Sequence, residues 1–176
     1  MTLPVEVFRV TPDDWQSHRN LRLAMLTEAP DAFWTTHAEV ADLSEEQWRE
    51  RIGAQCHFQA RLDGMPVGSA GAWASAEGVT TLVAMYVAPV ARGCGVGELL
   101  IAAVREEAAR QGSHTLALEV ASNNLAARRL YERTGFGYTG VRRPHPRRPG
   151  LEELEMAQPV STLLPIPDPD VRGCRP

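Results

Sequence analysis

Glycine at every second position of Arg92-Gly93-Cys94-Gly95-Val96-Gly97 constrains this chain more than any other stretch. The apolar run Met85-Tyr86-Val87 leads into it, Pro89 breaks that run, and a helical apolar pattern begins directly after it. Glycines let a backbone take up left-handed conformations and pass close to a ligand. A turn of this kind, running into a helix N-terminus, aims several N–H groups at one point. Such a point attracts anions, above all phosphates. Arg92 adds a permanent cation at the rim. The stretch therefore reads as a pyrophosphate cradle held between a strand and a helix.

Two familiar phosphate loops do not fit. A Walker A loop ends in Gly-Lys-Ser/Thr, whereas Gly97 is followed by Glu98 and Leu99. A dinucleotide fingerprint, GxGxxG, needs its third glycine where Glu98 stands, although Glu119 lies at a plausible spacing for the ribose-binding acid. The strand also lies in mid-chain, without the first βαβ half of such a fold.

The 176 residues suffice for one domain with a sizeable core. A formal charge of −4 makes no electrostatic case for nucleic acid or for an anionic membrane. No apolar run reaches the ~18 residues of a membrane span. The first residues lack the basic and apolar regions of a signal peptide, so a cytoplasmic location is expected. The three cysteines are odd in number, widely spaced and free of any CxxC pair, which disfavours a metal site and a disulfide framework alike.

Taken in order, residues 5–10 alternate as a first strand, and Thr11-Pro12 opens a helix to about residue 27 with Trp15, Leu21 and Met25 inward. His18 reads as a further inward-facing residue or as a surface or core-edge residue of that helix, rather than as a ligand. Residues 29–34 form a loop. Ser44-Glu45-Glu46-Gln47 is a capping box for a short helix that buries Trp48 and Ile52. Two strands, 56–62 and 65–73, meet at Asp63-Gly64, a hairpin signal. The near-continuous apolar strand 80–87 belongs in the middle of a sheet. A helix over 96–110 ends at Gly112, a strand over 115–120 follows, and a helix over 125–134 stops at Gly135. Strand 136–141, a basic proline-broken loop 142–150 and strand 151–156 close the pattern. The fold class is α/β, a mixed and mostly antiparallel sheet flanked by helices, with one domain over 1–158 and a proline-rich mobile tail over 159–176.

With its flanks, the glycine turn resembles the GCN5-related N-acetyltransferase superfamily, whose first signature stands here as Val87-Ala88-Pro89-Val90-Ala91-Arg92-Gly93-Cys94-Gly95-Val96-Gly97. The second stands as Asn124-Leu125-Ala126-Ala127-Arg128-Arg129-Leu130-Tyr131, with Gly135-Phe136 beyond. Both occur in order with a helix and a strand between them, over roughly residues 80–141. Leu21-Arg22-Leu23 through Pro30-Asp31-Ala32-Phe33 is similar to many bacterial members.

The resemblance implies acetyl-CoA as donor. Backbone N–H groups from Arg92 through Gly93, Cys94, Gly95 and Val96 to Gly97 would hold its pyrophosphate. The pantetheine would lie along the end of the strand at Met85 and Val87, and the Val87 N–H would stabilise the oxyanion. Asn124 would bind the cofactor's amide groups as well as capping its helix. Tyr131 would protonate the departing thiolate, since a phenol carries its proton at neutral pH. Leu118-Glu119-Val120 before Asn124 and Tyr131 is similar to bacterial ribosomal-protein alanine acetyltransferases, in which the matching glutamate is the general base. Glu119 is the candidate base here, with a water-mediated route as the alternative. Thr81 and Val83, where other branches carry a carboxylate or histidine, cannot serve.

The expected acceptor is an amine-bearing small molecule or peptide; neither nucleic acid nor membrane is expected as a partner, and a homodimer is compatible with the chain. Phe33, Trp34 and Trp73 are candidates for lining an acceptor pocket, though aromatics at such spacing are more often core. Loop 142–148 reads as a solvated charged loop. An acetyl-CoA-binding sensor without turnover is the competing reading of the same cradle.

Overall fold

The computed structural model describes residues 4–160. Among these, seven strands form one sheet: β1 (Val5–Arg9), β2 (Cys56–Leu62), β3 (Met65–Ala74), β4 (Val79–Val87), β5 (Thr115–Ala121), β6 (Gly137–Pro144) and β7 (Glu152–Pro159). Their spatial order is β1-β2-β3-β4-β5-β7-β6. Neighbours run antiparallel except for β4 and β5, which run parallel. The β2–β3 hairpin turns at Asp63 and Gly64, with φ of 52° and 73°, the doubly left-handed turn that matches strand twist.

The irregularity that matters lies in β4. Gly71 pairs with Val83 and Ser69 with Tyr86, so Ala84 and Met85 together oppose the single residue Ala70. This is a β-bulge, and Ala84 takes the left-handed φ of 51° that it demands. A bulge bends its strand. Here β4 and β5 pair only over Val79–Thr81 and Thr115–Ala117 and then part company. β5 meanwhile stays paired with β7 along its whole length. The two central strands therefore open into a wedge at their C-terminal ends.

Helices cover both faces. On one face lie α1 (Trp15–Glu28), α2 (His37–Ala41) and α3 (Glu45–Ala54). Ser17 of α1 bonds Gln59 of β2 at 2.9 Å, and the His18 ring meets that of His57, two residues before Gln59, at 4.8 Å. On the other face lies α4 (Val96–Arg110), with α5 (Leu125–Arg133) beside it. A methyl group on Gly68 of β3 would come within 2.9 Å of Val96 and Leu100, so α4 packs tightly on that strand. Val96, Leu100, Ile101 and Val104 are completely buried there. Each such side chain contributes roughly 1.5–3 kcal/mol relative to exposure.

The capping box at Ser44, the burial of Trp48 and Ile52, the central place of β4 and the span of α4 all follow the sequence expectations. Several details differ. Pro12–Asp14 is a single 3₁₀ turn, closed by Thr11 and Asp14 in a capping box, and α1 starts only at Trp15. The helix α2 was not expected, although Thr36 and Glu39 form its capping box. Arg142 and Arg143 belong to β6 rather than to a loop. β7 runs on to Pro159, past the expected end, because pairing with β5 extends to Thr115. It also enters the sheet between β5 and β6, a placement that no local pattern announces. Most of the tail expected over 159–176 lies outside the described residues.

Candidate active site

The wedge between β4 and β5 opens into a cleft of about 970 Å³. Its walls include Met85, Val87, Arg92, Gly93, Gly95, Val96, Gly97, Glu119, Asn124 and Tyr131, so two signatures separated in sequence meet at one cavity. Cys94 does not line it; this residue is buried and disulfide-bonded, and offers no free thiol.

The glycine turn has the expected backbone. Gly93 and Gly95 have φ of 80° and 77°, values that side chains rarely tolerate. Gly95 is the N-cap of α4, and the first helical bond runs from Leu99 N–H to its carbonyl at 3.1 Å. The N–H groups of Val96, Gly97 and Glu98 therefore have no partner inside the helix. Two of the groups assigned to the cradle are used locally: Arg92 N–H donates to Pro89 and Cys94 N–H to Ala91, at 3.3 and 3.4 Å. The open donors are thus concentrated at Gly93 and from Gly95 to Glu98. A side chain at Gly97 would come within 2.8 Å of Leu130, so α4 and α5 close on each other there.

The Arg92 guanidinium turns away from this cradle. Its Nε donates to the Val87 carbonyl at 3.0 Å, and its Nη2 meets both carboxylate oxygens of Glu28 at 2.9 and 3.0 Å. Arg133 and Glu98, 2.8 Å apart, form a second ion pair at the other rim.

At the end of β4, Ala88 N–H donates to Val67 of β3 at 2.8 Å. Successive N–H groups of an extended strand point to opposite sides, so the Val87 N–H faces the side from which β5 has diverged. Tyr131 on α5 is buried, its ring edge-on to Phe136 at 5.7 Å. Burial pushes its phenol pKa upward and keeps the proton on. Asn124 caps α5, its Oδ1 accepting from Ala127 N–H at 3.1 Å. Glu119 on β5 accepts from Arg143 Nη1, which also reaches Glu155 on β7 at 3.2 Å. One guanidinium thus holds two carboxylates at facing positions of neighbouring strands.

The remaining wall is built by the 29–36 loop, the loop after β6 and the end of β3. Phe33 is buried, but Trp34 and Trp73 are 58% and 60% exposed and flank the cleft rather than filling a core. Trp34 Nε1 donates to Glu153 at 3.0 Å, and the buried His145 stands 3.9 Å from the same carboxylate. Arg147 donates to the Trp34 carbonyl at 2.7 Å, and Arg148 pairs with Asp31. The basic loop is exposed apart from His145, as expected, and is also fastened to the 29–36 loop. Arg22 of α1 also lines the cleft; its position between two leucines was visible in the sequence, its role was not.

A family model described as acetyltransferase (GNAT) matches residues 22–136. No curated protein matches the chain. Among solved structures, a GNAT-family acetyltransferase from Streptococcus pneumoniae is 20% identical, with a TM-score of 0.77 over 89% of this chain and 99% of its own. The ribosomal-protein-alanine N-acetyltransferase of Brucella melitensis is 25% identical, with a TM-score of 0.68 over 88% and 99%. The yncA protein of Salmonella typhimurium, solved with its cofactor acetyl-CoA, is 21% identical, with a TM-score of 0.70 over 93% and 98%.

Proposed function

The chain belongs to the acetyltransferase (GNAT) family, and we propose that it transfers the acetyl group of acetyl-CoA to a primary amine by direct attack in a ternary complex. The observation that carries this reading is the divergence of β4 from β5 beside the glycine turn. It leaves the Val87 edge of β4 without a neighbouring strand, next to a group of anion-seeking N–H donors. An extended, amide-bearing chain that ends in a pyrophosphate has the matching shape and polarity. The donors from Gly93 to Glu98 take the phosphates, and Met85, Val87 and Asn124 take the amide-bearing arm.

In the reaction, the amine nitrogen bonds to the thioester carbonyl carbon, and the carbon–sulfur bond breaks. The Val87 N–H stabilises the charge that develops on the carbonyl oxygen. Tyr131, kept protonated by burial, supplies the proton that the thiolate takes up. The proton lost by the amine goes to Glu119, directly or through a water. A carboxylate has about four acceptor sites, so its contact with Arg143 leaves room for that role. Much of the acceleration comes from holding amine and thioester together.

The likeness to the Brucella alanine acetyltransferase supports a peptide amino terminus as one class of acceptor; a small-molecule amine is the other. The test is calorimetric titration with acetyl-CoA, alongside CoA release from a panel of amines. Tight binding and amine-dependent release are expected. Absence of acetyl-CoA binding would remove the assignment of the cleft. Binding with no release for any amine would leave a sensor.

A further inference from the structure

Every arginine lining the cleft is paired with a carboxylate except one. Arg92 meets Glu28, Arg133 meets Glu98, and Arg143 meets Glu119 and Glu155. Arg22 lines the same cavity from α1, and among the described residues it forms no ion pair. Its contacts are the Met25 sulfur, 3.7 Å from Nη1, and the Phe33 ring, whose centroid lies 5.5 Å away. A thioether is a weak acceptor, and a guanidinium has five N–H donors to place. Burial, with Arg51 nearby, lowers its pKa to about 10, which marks a cation short of compensation.

The donor's phosphates belong elsewhere. α1 lies on the face of the sheet opposite α4, whose N-terminus carries the glycine turn. Arg22 stands instead beside Phe33 of the loop that closes the other end of the cleft. The other charges lining that end are four carboxylates, Asp31, Glu119, Glu153 and Glu155, and one arginine, Arg143, which is shared between Glu119 and Glu155. That balance disfavours a polyanion and suits a molecule with one carboxylate and one ammonium group.

We propose that Arg22 binds a carboxylate of the acceptor, and that the acceptors are free amino acids or similar small amines bearing one carboxylate. This rests on the acetyltransferase reading above. The ammonium group faces the glutamates at the mouth of β5 and β7, the carboxylate forms a two-point contact with Arg22, and Trp34 and Trp73 flank the substituent. A peptide amino terminus, whose first carboxylate is an amide, lacks this contact.

The experiment measures CoA release with L-amino acids, the corresponding amino-acid amides and the decarboxylated amines, for the wild type, Arg22→Gln and Arg22→Lys. The wild type is expected to favour acids over amides by about 10- to 100-fold in kcat/KM, the usual worth of a charge-assisted contact. Arg22→Gln should abolish that ratio while keeping the amide rate and the acetyl-CoA Kd; Arg22→Lys should keep part of it. Equal use of acids and amides by the wild type, or an unchanged ratio in Arg22→Gln, overturns the proposal and leaves the transferase assignment standing. Failure to bind acetyl-CoA or to release CoA with any amine removes that assignment instead. In that case binding of N-acetyl-L-amino acids decides: binding to the wild type but not to Arg22→Gln supports the carboxylate site, and no binding overturns it. Thermal melting of each variant identifies one that fails to fold, and the Arg22→Lys comparison then carries the test.

Discussion

Arg92 Nε donates a 3.0 Å hydrogen bond to the Val87 carbonyl, so the residue that opens the glycine turn also fixes the end of the strand it has just left. Its Nη2 grips both oxygens of Glu28 at the end of α1, which joins three elements at the rim of the cleft. Arg92→Ala should raise the KM for acetyl-CoA about tenfold, the loss expected for one charge-assisted contact. Arg92→Lys should not restore it, because an ammonium group cannot hold the carbonyl and the bidentate carboxylate together. Recovery by lysine would show that only the charge matters.

Tyr131→Phe keeps the ring packed on Phe136 and removes the proton donor. The expected result is a fall in kcat of about 10²-fold, the lower end for general acid catalysis, with the acetyl-CoA Kd and Tm nearly unchanged. An unchanged kcat under conditions where chemistry limits turnover would take Tyr131 out of the mechanism.

Glu119→Gln should lower kcat about 10²-fold at neutral pH, with little effect on acetyl-CoA binding. The loss should shrink as the pH is raised and more of the amine arrives neutral. If the loss is the same at every pH, Glu119 only positions Arg143, which it contacts together with Glu155.

The pair His18 and His57 predicts acid sensitivity. Burial, then the neighbouring His57 and Arg22 charges, lowers the His18 pKa to about 3; burial and Arg22 lower that of His57 to about 4. Both rings are neutral in the folded protein at pH 6, while the unfolded chain protonates them below its value of about 6.5. Unfolding therefore takes up protons in acid, and stability falls as the pH drops from about 6.5 through the folded values. The two rings titrate as a coupled pair. The limiting slope is about 2.7 kcal/mol per pH unit, that of two protons. Denaturant midpoints from pH 7 to pH 4.5 should show a smaller decline for His18→Asn than for the wild type; equal declines would place the acid-sensitive groups elsewhere.

The sequence by itself determined the parts that depend on near neighbours. Glycines at 93 and 95, the helix they open, the Asp63-Gly64 hairpin and the Ser44 box are set by local backbone stereochemistry, and each is found where its residues demand. The order Asn124 to Tyr131 likewise placed Tyr131 on a helix with Asn124 as its N-cap. Weaker local signals were lost: the five-residue α2 carries a capping box, yet its apolar content is too small to stand out.

Only the tertiary structure decided how those parts meet. The bulge at Ala84 and Met85 exists because of the register that β3 imposes, and it is what parts β4 from β5 and opens the cleft. The insertion of β7 between β5 and β6 brings Glu155 beside Glu119 and Arg143 across to both. Partners 113 and 117 residues apart, Arg147 with Trp34 and Arg148 with Asp31, fasten an exposed loop to the edge of the cleft. Arg22 touches near neighbours, Met25 and Phe33, but the cleft it lines has its other walls from distant chain. Residue order records stereochemistry over a few positions. The donor's cradle is built on that scale, whereas the acceptor's end of the cleft is assembled from long-range contacts.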